Sequence, residues 1–252
     1  MLNVDNLDNF LKGIYHNNKP LSVLFKNTVS STNNFFKYKY IKDQCPIIII
    51  ANNQRAARGR NNKKWVCLNK KSISFSLCLK LDSNTLDLRK LNYLSCYSLL
   101  SSFKNLSNND FCIKWPNDIL MHDKKVSGIL MESQSYGKDV YLSIGVGVNI
   151  DISESYCINQ PHSNLGNEIN QSKLISLFCN NFLNILTSDN YEDVISQYNE
   201  NLFGYKSGVS ITDEKNHFNG ILKGINKEGC LIILGDDKEH KINNINSTLR
   251  LV

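Results

Sequence analysis

The stretch KWPNDILMHDKKVSGILME, residues 114–132, combines apolar segments with rigid and polar residues. Leading into it, the side chains of residues 111–115 alternate between apolar and polar with the period of a β-strand. Pro116 ends this strand because it has no N–H to donate to a ladder. A polar turn at His122–Lys125 precedes a second strand, in which Gly128 suits a bulge or a close approach by a ligand. The stretch therefore predicts a β-hairpin.

Three charged residues of this hairpin, Lys114, Asp118 and Lys125, are predicted to lie on short strands. A strand holds a side chain more firmly than a long loop does, and a reactive site requires such a support. An ordinary hairpin with a charged tip and a buried Trp would explain a lone pair of lysines equally well. The rest of the sequence decides between the two interpretations.

The size and charge of the chain limit its function. A length of 252 residues allows one large domain and a smaller one. The net charge of +6, from 29 basic and 23 acidic residues, fits an anionic ligand but does not by itself imply nucleic acid. The first twenty residues lack the apolar region of a secretory signal, and no run reaches the roughly 18 apolar residues of a membrane span. We therefore expect no secretion and no membrane partner.

The cysteines stand singly, without a C-x-x-C pair, and several fall inside apolar runs where reduced, buried thiols are typical. This pattern predicts a reducing, cytoplasmic environment and no zinc site. The eight positions are Cys45, Cys67, Cys78, Cys96, Cys112, Cys157, Cys179 and Cys230.

Hydrophobic periodicity predicts the remaining elements. Strands are predicted at 21–25, 45–51, 72–81 and 140–150, and helices at 86–103, 173–186 and 191–203. After Gly204 to Gly208 the pattern changes to short strands near Val209, Ile221, Leu231 and Leu249. Such a series is typical of a small barrel of the SH3-like kind. We therefore predict two domains, residues 1–204 and 205–252.

Residues 55–65, RAARGRNNKKW, carry five basic residues and one glycine without periodicity, which predicts a mobile loop. Guanidinium groups beside a glycine can clamp a phosphate, and an ammonium group on a strand can stabilise a carboxylate or a developing oxyanion. Arg58, Arg60 and Lys125 together suit acyl-adenylate chemistry, in which a carboxylate attacks the α-phosphate of ATP, usually with Mg²⁺. Alone, the loop would be interpreted as a solvated basic run or a nuclear-targeting patch.

From about Ser31 to the C-terminus, the order of these motifs resembles that of the biotin protein ligases. The resemblance rests on Lys-Trp-Pro-Asn-Asp at 114–118, then Lys125, then Gly-Ile-Leu at 128–130. It implies an α+β fold with a mixed, largely antiparallel sheet and helices, as in class II aminoacyl-tRNA synthetases, followed by an SH3-like β-barrel. It also implies an enzyme that uses ATP, biotin and Mg²⁺ to make biotinyl-5′-AMP. The biotin is then transferred to a lysine on the carrier domain of a biotin-dependent carboxylase, and a homodimer is possible.

The resemblance also implies a role for individual residues. Lys125 corresponds to the lysine that contacts the biotin carboxylate and its activated form, and residues 58–60 to the loop over biotin and the adenylate. The implied catalytic residues are Lys125, Arg58, Arg60 and Asp118. The implied binding residues are Ser31, Thr32, Asn33, Gln54, Gly59, Trp65, Lys114, Asn117, Gly128, Gly145, Gly147 and Asn149.

Some of these residues have simpler explanations. Ser31 could be only a helix cap, Trp65 only a surface aromatic held against the core, and Asn149 only a turn former at a strand end. The loop also departs from the family pattern Gly-Arg-Gly-Arg-x-Gly, because Ala57 and Asn62 replace its first and last glycines. Alanine is tolerated unless φ is positive, and asparagine tolerates that region well, so we expect the loop still to close.

Two other functions remain as alternatives. A lipoate or octanoate protein ligase shares the fold, but Gln54 and the Ser31-Thr32 pair suit a ureido ring, which needs paired donors and acceptors. A nucleic-acid-binding module could use the basic loop and the C-terminal barrel, but the loop lacks interleaved aromatic residues for base stacking. The short helix predicted around Leu7 to Ile14 is too small for a winged helix-turn-helix, so we expect no DNA binding.

Overall fold

The structure is a computed structural model that describes residues 4–83, 87–153, 161–188, 190–212, 216–236, 238–244 and 247–252, without the side chains of residues 4–6. Two features of the sequence analysis, the helix start at Leu86 and the thiol of Cys157, lie outside these ranges.

The chain combines helices with runs of consecutive strands, of which the longest described lie at residues 111–149 and 208–251. The helices in the described ranges are α1 (Val4–Leu11), α2 (Lys39–Gln44), α3 (Leu88–Leu106), α4 (Gln171–Leu186) and α5 (Tyr191–Glu200), with 3-10 helices at Thr32–Lys37 and Arg60–Asn62. The first nine strands are β1 (Tyr15–His16), β2 (Lys19–Pro20), β3 (Ser22–Val29), β4 (Ile47–Gln54), β5 (Ser72–Asp82), β6 (Phe111–Lys114), β7 (Asp118–Met121), β8 (Lys124–Tyr136) and β9 (Asp139–Asn149). The last five are β10 (Gly208–Thr212), β11 (His217–Ile225), β12 (Leu231–Gly235), β13 (Lys238–Ile242) and β14 (Thr248–Leu251).

Seven strands form the central sheet, in the order β3-β4-β5-β9-β8-β7-β6. β3 is parallel to β4, and the other neighbouring pairs of this sheet are antiparallel. The register places Gly147 of β9 opposite both Ser74 of β5 and Gly128 of β8. The predicted mixed, largely antiparallel sheet with helices is therefore confirmed, and the predicted hairpin forms one edge of it.

The two faces of this sheet carry side chains of very different size. On one face Phe75 of β5 and Ile144 of β9 belong to the main hydrophobic core, and Phe75 contacts Phe178 of α4 with ring centroids 5.5 Å apart. Successive side chains of a strand point to opposite faces, so the residues between them face the other way. On that second face the two strands carry Ser74, Ser76, Ser143, Gly145 and Gly147. A floor of such small residues leaves space above the sheet.

Polar caps fix the two helices that cover the apolar face. Asp87 accepts hydrogen bonds from the backbone N–H groups of Arg89 and Lys90 at the start of α3, at 3.0 and 3.4 Å. Asn170 accepts one from the N–H of Lys173 at the start of α4, at 3.0 Å. Each such cap stabilises a helix by about 1 kcal/mol. No helix in the described residues is long and apolar enough to cross a membrane.

The segment after Ser31 does not support the simpler explanation that Ser31 is only a helix cap. It forms a 3-10 helix, and the side chain of Ser31 makes no capping hydrogen bond. The side chains of Thr32 and Asn33 bond to distant residues of the sheet instead. Hydrogen bonds to distant residues therefore hold this segment, and no local side-chain cap at Ser31 does.

The turn of the hairpin is also shorter than predicted. His122 and Asp123 have φ values of 51° and 60°, the left-handed conformation that a tight two-residue turn requires at both positions. Lys124 already begins β8, so Lys125 lies on a strand. The predicted support of Lys125 by regular structure is therefore present.

The C-terminal residues form a five-stranded antiparallel sheet in the order β13-β12-β11-β10-β14. Its buried residues, including Leu222 and Leu249, belong to the same hydrophobic core as those of the central sheet. The backbone of Ile113 on β6 bonds to Asn201 and to Phe203, at 2.8 Å each, in the segment between α5 and β10. The domain boundary at residue 204 stays a prediction.

The seven cysteines within the described residues are free thiols. Burial raises the pKa of Cys45 to about 11 and that of Cys78 to about 12. Thiols that stay protonated in this way are poor nucleophiles, so these two residues serve the packing of the core.

His16 makes the stability of the fold depend on pH. The residue is 7% exposed, and neither ring nitrogen has a hydrogen-bond partner among the described residues. Burial lowers the pKa of His16 below its ordinary value of 6.5, and the nearby backbone of Lys80 opposes this shift in part. The unfolded chain therefore binds more protons than the folded chain below about pH 6.5. The destabilising effect of protonating His16 is therefore absent above about pH 6.5, and the free energy of unfolding decreases as the pH falls below that value.

We predict that His16→Leu reduces the acid sensitivity of folding. Urea unfolding at several pH values between 5 and 7.5 should show a smaller decline in the free energy of unfolding than in wild type, by at most about 1.4 kcal/mol per pH unit. His122→Asn is the matched control, because His122 is exposed and asparagine tolerates its positive φ. Equal slopes for wild type and His16→Leu would contradict the assignment.

Candidate active site

A cavity of about 690 Å³ opens above the small-residue face of the central sheet. Its walls are the 3-10 helix after Ser31, residues 54–66, the hairpin of β7 and β8, and the start of β14. The volume lies within the range of about 300–1,000 Å³ that is usual for small-molecule sites. All sixteen site residues predicted from the sequence line this one cavity.

An ion pair lies at the centre of the hairpin wall. Nζ of Lys125 is 2.7 Å from Oδ1 of Asp118, and each side chain is only about a fifth exposed. The pairing of β7 with β8 shifts between Ile119 and Leu120, and Asp118 lies opposite Gly128. A Cβ atom at Gly128 would be 3.1 Å from Nζ of Lys125, so a larger residue would press on the ammonium group. Glycine thus leaves room for the pair.

Trp65 covers this ion pair from the opposite side of the cavity. Its ring centroid is 5.4 Å from Nζ of Lys125. The indole packs directly on β9, since a Cβ at Gly147 would be 2.5 Å from the ring. The indole Nε1 is buried without a hydrogen-bond partner among the described residues. Trp65 is therefore part of the cavity wall and not only a surface aromatic.

Arg60 brings an unbalanced positive charge to the same wall. Its Nη1 donates a hydrogen bond of 2.6 Å to Oδ1 of Asn117, whose Nδ2 donates one of 2.6 Å to the carbonyl of Ile129. The Nε of Arg60 is buried and has no partner among the described residues. Burial lowers the pKa of Arg60, and the Asp118 carboxylate opposes this effect. The guanidinium group nevertheless remains charged at neutral pH, because arginine is not deprotonated in proteins.

Arg58 has a different environment, although only one residue separates it from Arg60. Its Nη2 lies 2.7 and 2.8 Å from the two carboxylate oxygens of Glu132 and 2.9 Å from Oδ1 of Asn34. Glu132 lies on β8 and is absent from the predicted site. The two arginines of the predicted clamp therefore differ. Glu132 neutralises the charge of Arg58, whereas Arg60 forms no ion pair with a carboxylate among the described residues and bonds to an amide instead.

A hydrogen-bond network occupies the end of the cavity near the 3-10 helix. Oε1 of Gln54 accepts hydrogen bonds from the N–H and the hydroxyl of Thr32, at 2.7 and 3.2 Å. Nε2 of Gln54 has no acceptor among the described residues. This amide is thus held by its oxygen, and its nitrogen is available to a ligand.

Asn33 is tied to the protein at every polar position of its side chain. Its Nδ2 donates to the carbonyl of Leu130 and to Glu132, each at 3.0 Å. Its Oδ1 accepts from Ser76 and Ser143, at 2.7 and 3.0 Å. The side chain therefore holds the floor of the cavity together, and a direct contact between it and a ligand would require one of these bonds to break.

Asn149 positions the backbone of Lys125. Its Nδ2 donates to the carbonyls of Lys125 and Ser163, at 3.3 and 3.2 Å. The backbone of residues 161–163 also pairs with Lys125 on the outer side. Asn149 is thus more than a turn former at a strand end, while its predicted place beside the nucleotide stays a prediction.

The loop that departs from the family pattern keeps a regular shape. Asn61 and Asn62 have φ values of 52° and 55°, and Ala57 is not in the positive-φ region. The backbone therefore suits both replacements, because of these two positions only Asn62 has the left-handed conformation, while closure of the loop over a ligand stays a prediction.

Several residues of the wall were not predicted from the sequence. Among them is Ser247 of the C-terminal part, whose buried hydroxyl has no partner among the described residues. Glu132, which binds Arg58 but does not itself line the cavity, was not predicted either. Glu132 stands in the hairpin stretch four residues after Gly128, on the same face of β8, and this alternation could have identified it. Nothing in the local pattern connects the C-terminal residues with the cavity. The other unpredicted wall residues with polar or charged side chains are Asn61, Lys63, Lys64, Ser74, His162 and Thr248.

The charges that line the cavity are strongly asymmetric. Within the described part of the chain, the lining residues include one carboxylate, Asp118, and six cationic side chains. The cationic residues are Arg58, Arg60, Lys63, Lys64, Lys114 and Lys125. A cleft lined by one sign of charge concentrates ligands of the opposite sign. The geometry is therefore suited to a small molecule with several negative charges.

Comparisons with known proteins agree with this geometry. The chain is 23% identical over 253 residues to "Biotin--protein ligase 2" of Arabidopsis thaliana, with 92% of this chain and 75% of that protein covered. It is 31% identical over 105 residues to "Biotin--[acetyl-CoA-carboxylase] ligase" of Paracoccus denitrificans, with 40% of this chain and 43% of that protein covered.

Solved structures show the same fold. The biotin protein ligase of Aquifex aeolicus, solved in complex with biotin and ATP, superimposes with a TM-score of 0.75 at 21% identity over 92% of this chain and 99% of that one. Residues 25–149 match the model of the biotin/lipoate A/B protein ligase family. Residues 25–149 are therefore similar to the biotin/lipoate A/B protein ligase family, and the chain has the fold of the biotin protein ligases.

Proposed function

We propose that this protein is a ligase that activates biotin with ATP to biotinyl-5′-AMP and transfers the biotin to a lysine of a carboxylase carrier domain. The observation that carries this proposal is the convergence of Lys125, Asp118 and Arg60 on one cavity within the family domain. The activity named for the relatives supports the same reaction.

The first step joins two anions, so it needs positive charge. An oxygen of the biotin carboxylate attacks the α-phosphorus of ATP, a new P–O bond forms, and the bond to pyrophosphate breaks. We assign Lys125 to the biotin carboxylate, because its ammonium group is held on a strand and already binds one carboxylate. We assign Arg60 to the phosphate, because its buried Nε has no protein partner. Preorganised cationic donors of this kind stabilise the charge that develops in a transition state.

The second step transfers the acyl group to a protein. The amine of the acceptor lysine attacks the acyl carbon of the mixed anhydride, AMP leaves with the electron pair of the broken C–O bond, and the amine loses a proton. Trp65 covers the site beside Lys125, so it restricts the access of water and other amines to the anhydride.

The residues fit Mg²⁺ only in combination with phosphate. Within the described ranges, no group of three or more His, Cys, Asp or Glu could hold a metal ion, and Asp118 is the one carboxylate among the lining residues. Mg²⁺ is usually held through one or two carboxylates together with substrate phosphates. Asp118 would supply the protein ligand, and the metal would neutralise phosphate charge.

The available nitrogen of Gln54 supports biotin over lipoate. The ureido carbonyl of biotin can accept from this nitrogen, whereas a dithiolane ring offers no comparable acceptor. The carrier-domain partner rests on the activity named for the relatives. The absence of DNA binding, the possible homodimer and the cytoplasmic location stay predictions from the sequence.

We predict that Lys125→Ala abolishes adenylate formation while the fold is retained. The change removes the ammonium group and leaves Asp118 as an unpaired carboxylate that repels both substrates. Biotin-dependent exchange of pyrophosphate into ATP should fall at least about 100-fold, as when one preorganised donor is removed from an active site. Lys124→Ala is the matched control, since Lys124 is the exposed neighbour on the same strand. Near wild-type exchange in a folded Lys125→Ala protein would overturn the assignment.

We predict that Arg60→Gly makes the adenylate but loses it. The change removes the bond to Asn117 and the charge assigned to the phosphate, a loss of about 1.5–3 kcal/mol or one to two decades in retention. Released biotinyl-5′-AMP acylates exposed lysines of bystander proteins. A streptavidin blot of mixed proteins should therefore show broad labelling with the variant and one acceptor band with wild type.

Arg55→Gly controls for the flexibility that glycine adds to the loop, because Arg55 is exposed and does not line the cavity. It should label like wild type. If Arg60→Gly labels the acceptor alone, or makes no adenylate, Arg60 does not retain the intermediate.

A further inference from the structure

We propose that Glu132 is a positioning residue, which fastens the loop of residues 55–65 to the cavity floor through Arg58 and Asn33. This inference rests on the proposed function, because it assigns the loop to ligand binding. Glu132 lies on β8 opposite Ser143, on the same face as Gly128 and Leu130. One carboxylate there contacts both the loop and the floor.

The contacts of Glu132 are close and are shared between two segments. Its two oxygens lie 2.7 and 2.8 Å from Nη2 of Arg58, and Oε2 also accepts from Nδ2 of Asn33 at 3.0 Å. The side chains of Glu132 and Arg58 are 26% and 24% exposed. Contacts from a charged donor to a partly buried carboxylate are among the stronger hydrogen bonds in proteins.

Backbone bonds attach only the start of the loop to β3 and the residue after it, from Arg55 to Val29 at 2.9 Å and from Ala56 to Ser30 at 2.8 Å, and the backbone bonds further along are internal. Gly59 donates to the carbonyl of Lys63 at 2.7 Å, and Trp65 donates to that of Ala57 at 3.1 Å. These internal bonds shape the loop, and its tip is held by side chains: Arg60 bonds to the neutral amide of Asn117, and Arg58 pairs with the carboxylate of Glu132. Within the described residues, the pair of Arg58 with Glu132 is the one ion pair that joins the loop to the sheet.

The pair also decides which arginine faces the ligand. The Arg58 guanidinium is bound by Glu132 and Asn34, so its charge is neutralised at the edge of the cavity. Arg60 meets an amide and keeps an unpartnered Nε. Glu132 therefore holds Arg58 in a fixed place, and this in turn sets the position of Arg60 and of the rest of the loop over the cavity.

The experiment compares Glu132→Gln and Glu132→Ala with wild type in biotin-dependent pyrophosphate exchange. Glutamine keeps an acceptor for Asn33 and removes the charge, so it separates the ion pair from the floor contact. Each variant should raise the KM for biotin about tenfold, which corresponds to about 1.4 kcal/mol, while kcat stays within about threefold. Gln134→Ala, two residues along the same face of β8, should keep the wild-type KM. An unchanged KM in both Glu132 variants would overturn the proposal.

A double-mutant cycle distinguishes positioning from a general loss of structure. Arg58→Ala and Glu132→Ala should each raise the KM, and the double variant should match the larger single effect, because the two residues act as a unit. The charge-reversed pair Arg58→Glu with Glu132→Arg should recover part of the loss. Additive effects without recovery would contradict a shared role.

Limited trypsin digestion gives a readout that does not depend on catalysis. Without ligands, cleavage within residues 55–65 should be faster in Glu132→Gln than in wild type, since the anchor of the loop is lost. Equal cleavage in the two proteins would overturn the inference even if wild type proves to be a ligase. A wild-type protein without any biotin-dependent exchange would instead refute the proposed function and leave the digestion result to decide the role of Glu132.

Discussion

The ion pair between Lys125 and Asp118 is the interaction on which the site depends. A partly exposed pair of this kind contributes only about 0–1 kcal/mol to stability, so stability alone does not account for its surroundings. Gly128 gives the ammonium group its space, and Asn149 holds the backbone of Lys125 from the next strand. Trp65 limits the access of solvent from above. These constraints together keep one ammonium group in one place while it remains reachable by a ligand.

The space for a ligand comes from residues that are small on one face of the sheet only. A Cβ at Gly145 would lie 2.3 Å from Oδ1 of Asn33, and one at Gly147 would lie 2.5 Å from the ring of Trp65. Large residues on this face would bury more apolar area but would displace the polar groups that line the cavity. The opposite face supplies the stabilising apolar burial through Phe75 and its neighbours against α3 and α4. The strands thus separate stability from function by the alternation of their side chains.

Much of this arrangement could be predicted from the sequence, because the hairpin and the strands appear in local residue patterns and the motifs appear in a recognisable order along the chain. What could not be predicted depends on contacts between distant residues. Glu132 meets Arg58 and Asn33 only because the order of the strands places β8 beside β9 near the 3-10 helix. The sequence predicted equal roles for Arg58 and Arg60, but a carboxylate forms an ion pair with Arg58 and an amide accepts a hydrogen bond from Arg60. Periodicity also predicted that residues 205–252 form a separate domain, but Ser247 of that segment lines the cavity together with residues of the central sheet.

The distribution of charge explains how a modest net charge can serve an anionic ligand. The whole chain carries a net charge of +6 from 29 basic and 23 acidic residues, which alone predicts only weak attraction of anions. At the cavity the described lining residues hold six cationic side chains and one carboxylate. Two of these cations are already neutralised, Lys125 by Asp118 and Arg58 by Glu132, both within 3 Å. The two carboxylates hold cations in place, and the unpaired charges, with the buried Arg60 among them, remain to attract the phosphates of a nucleotide. The same few acidic residues thus set both the geometry and the charge of the site.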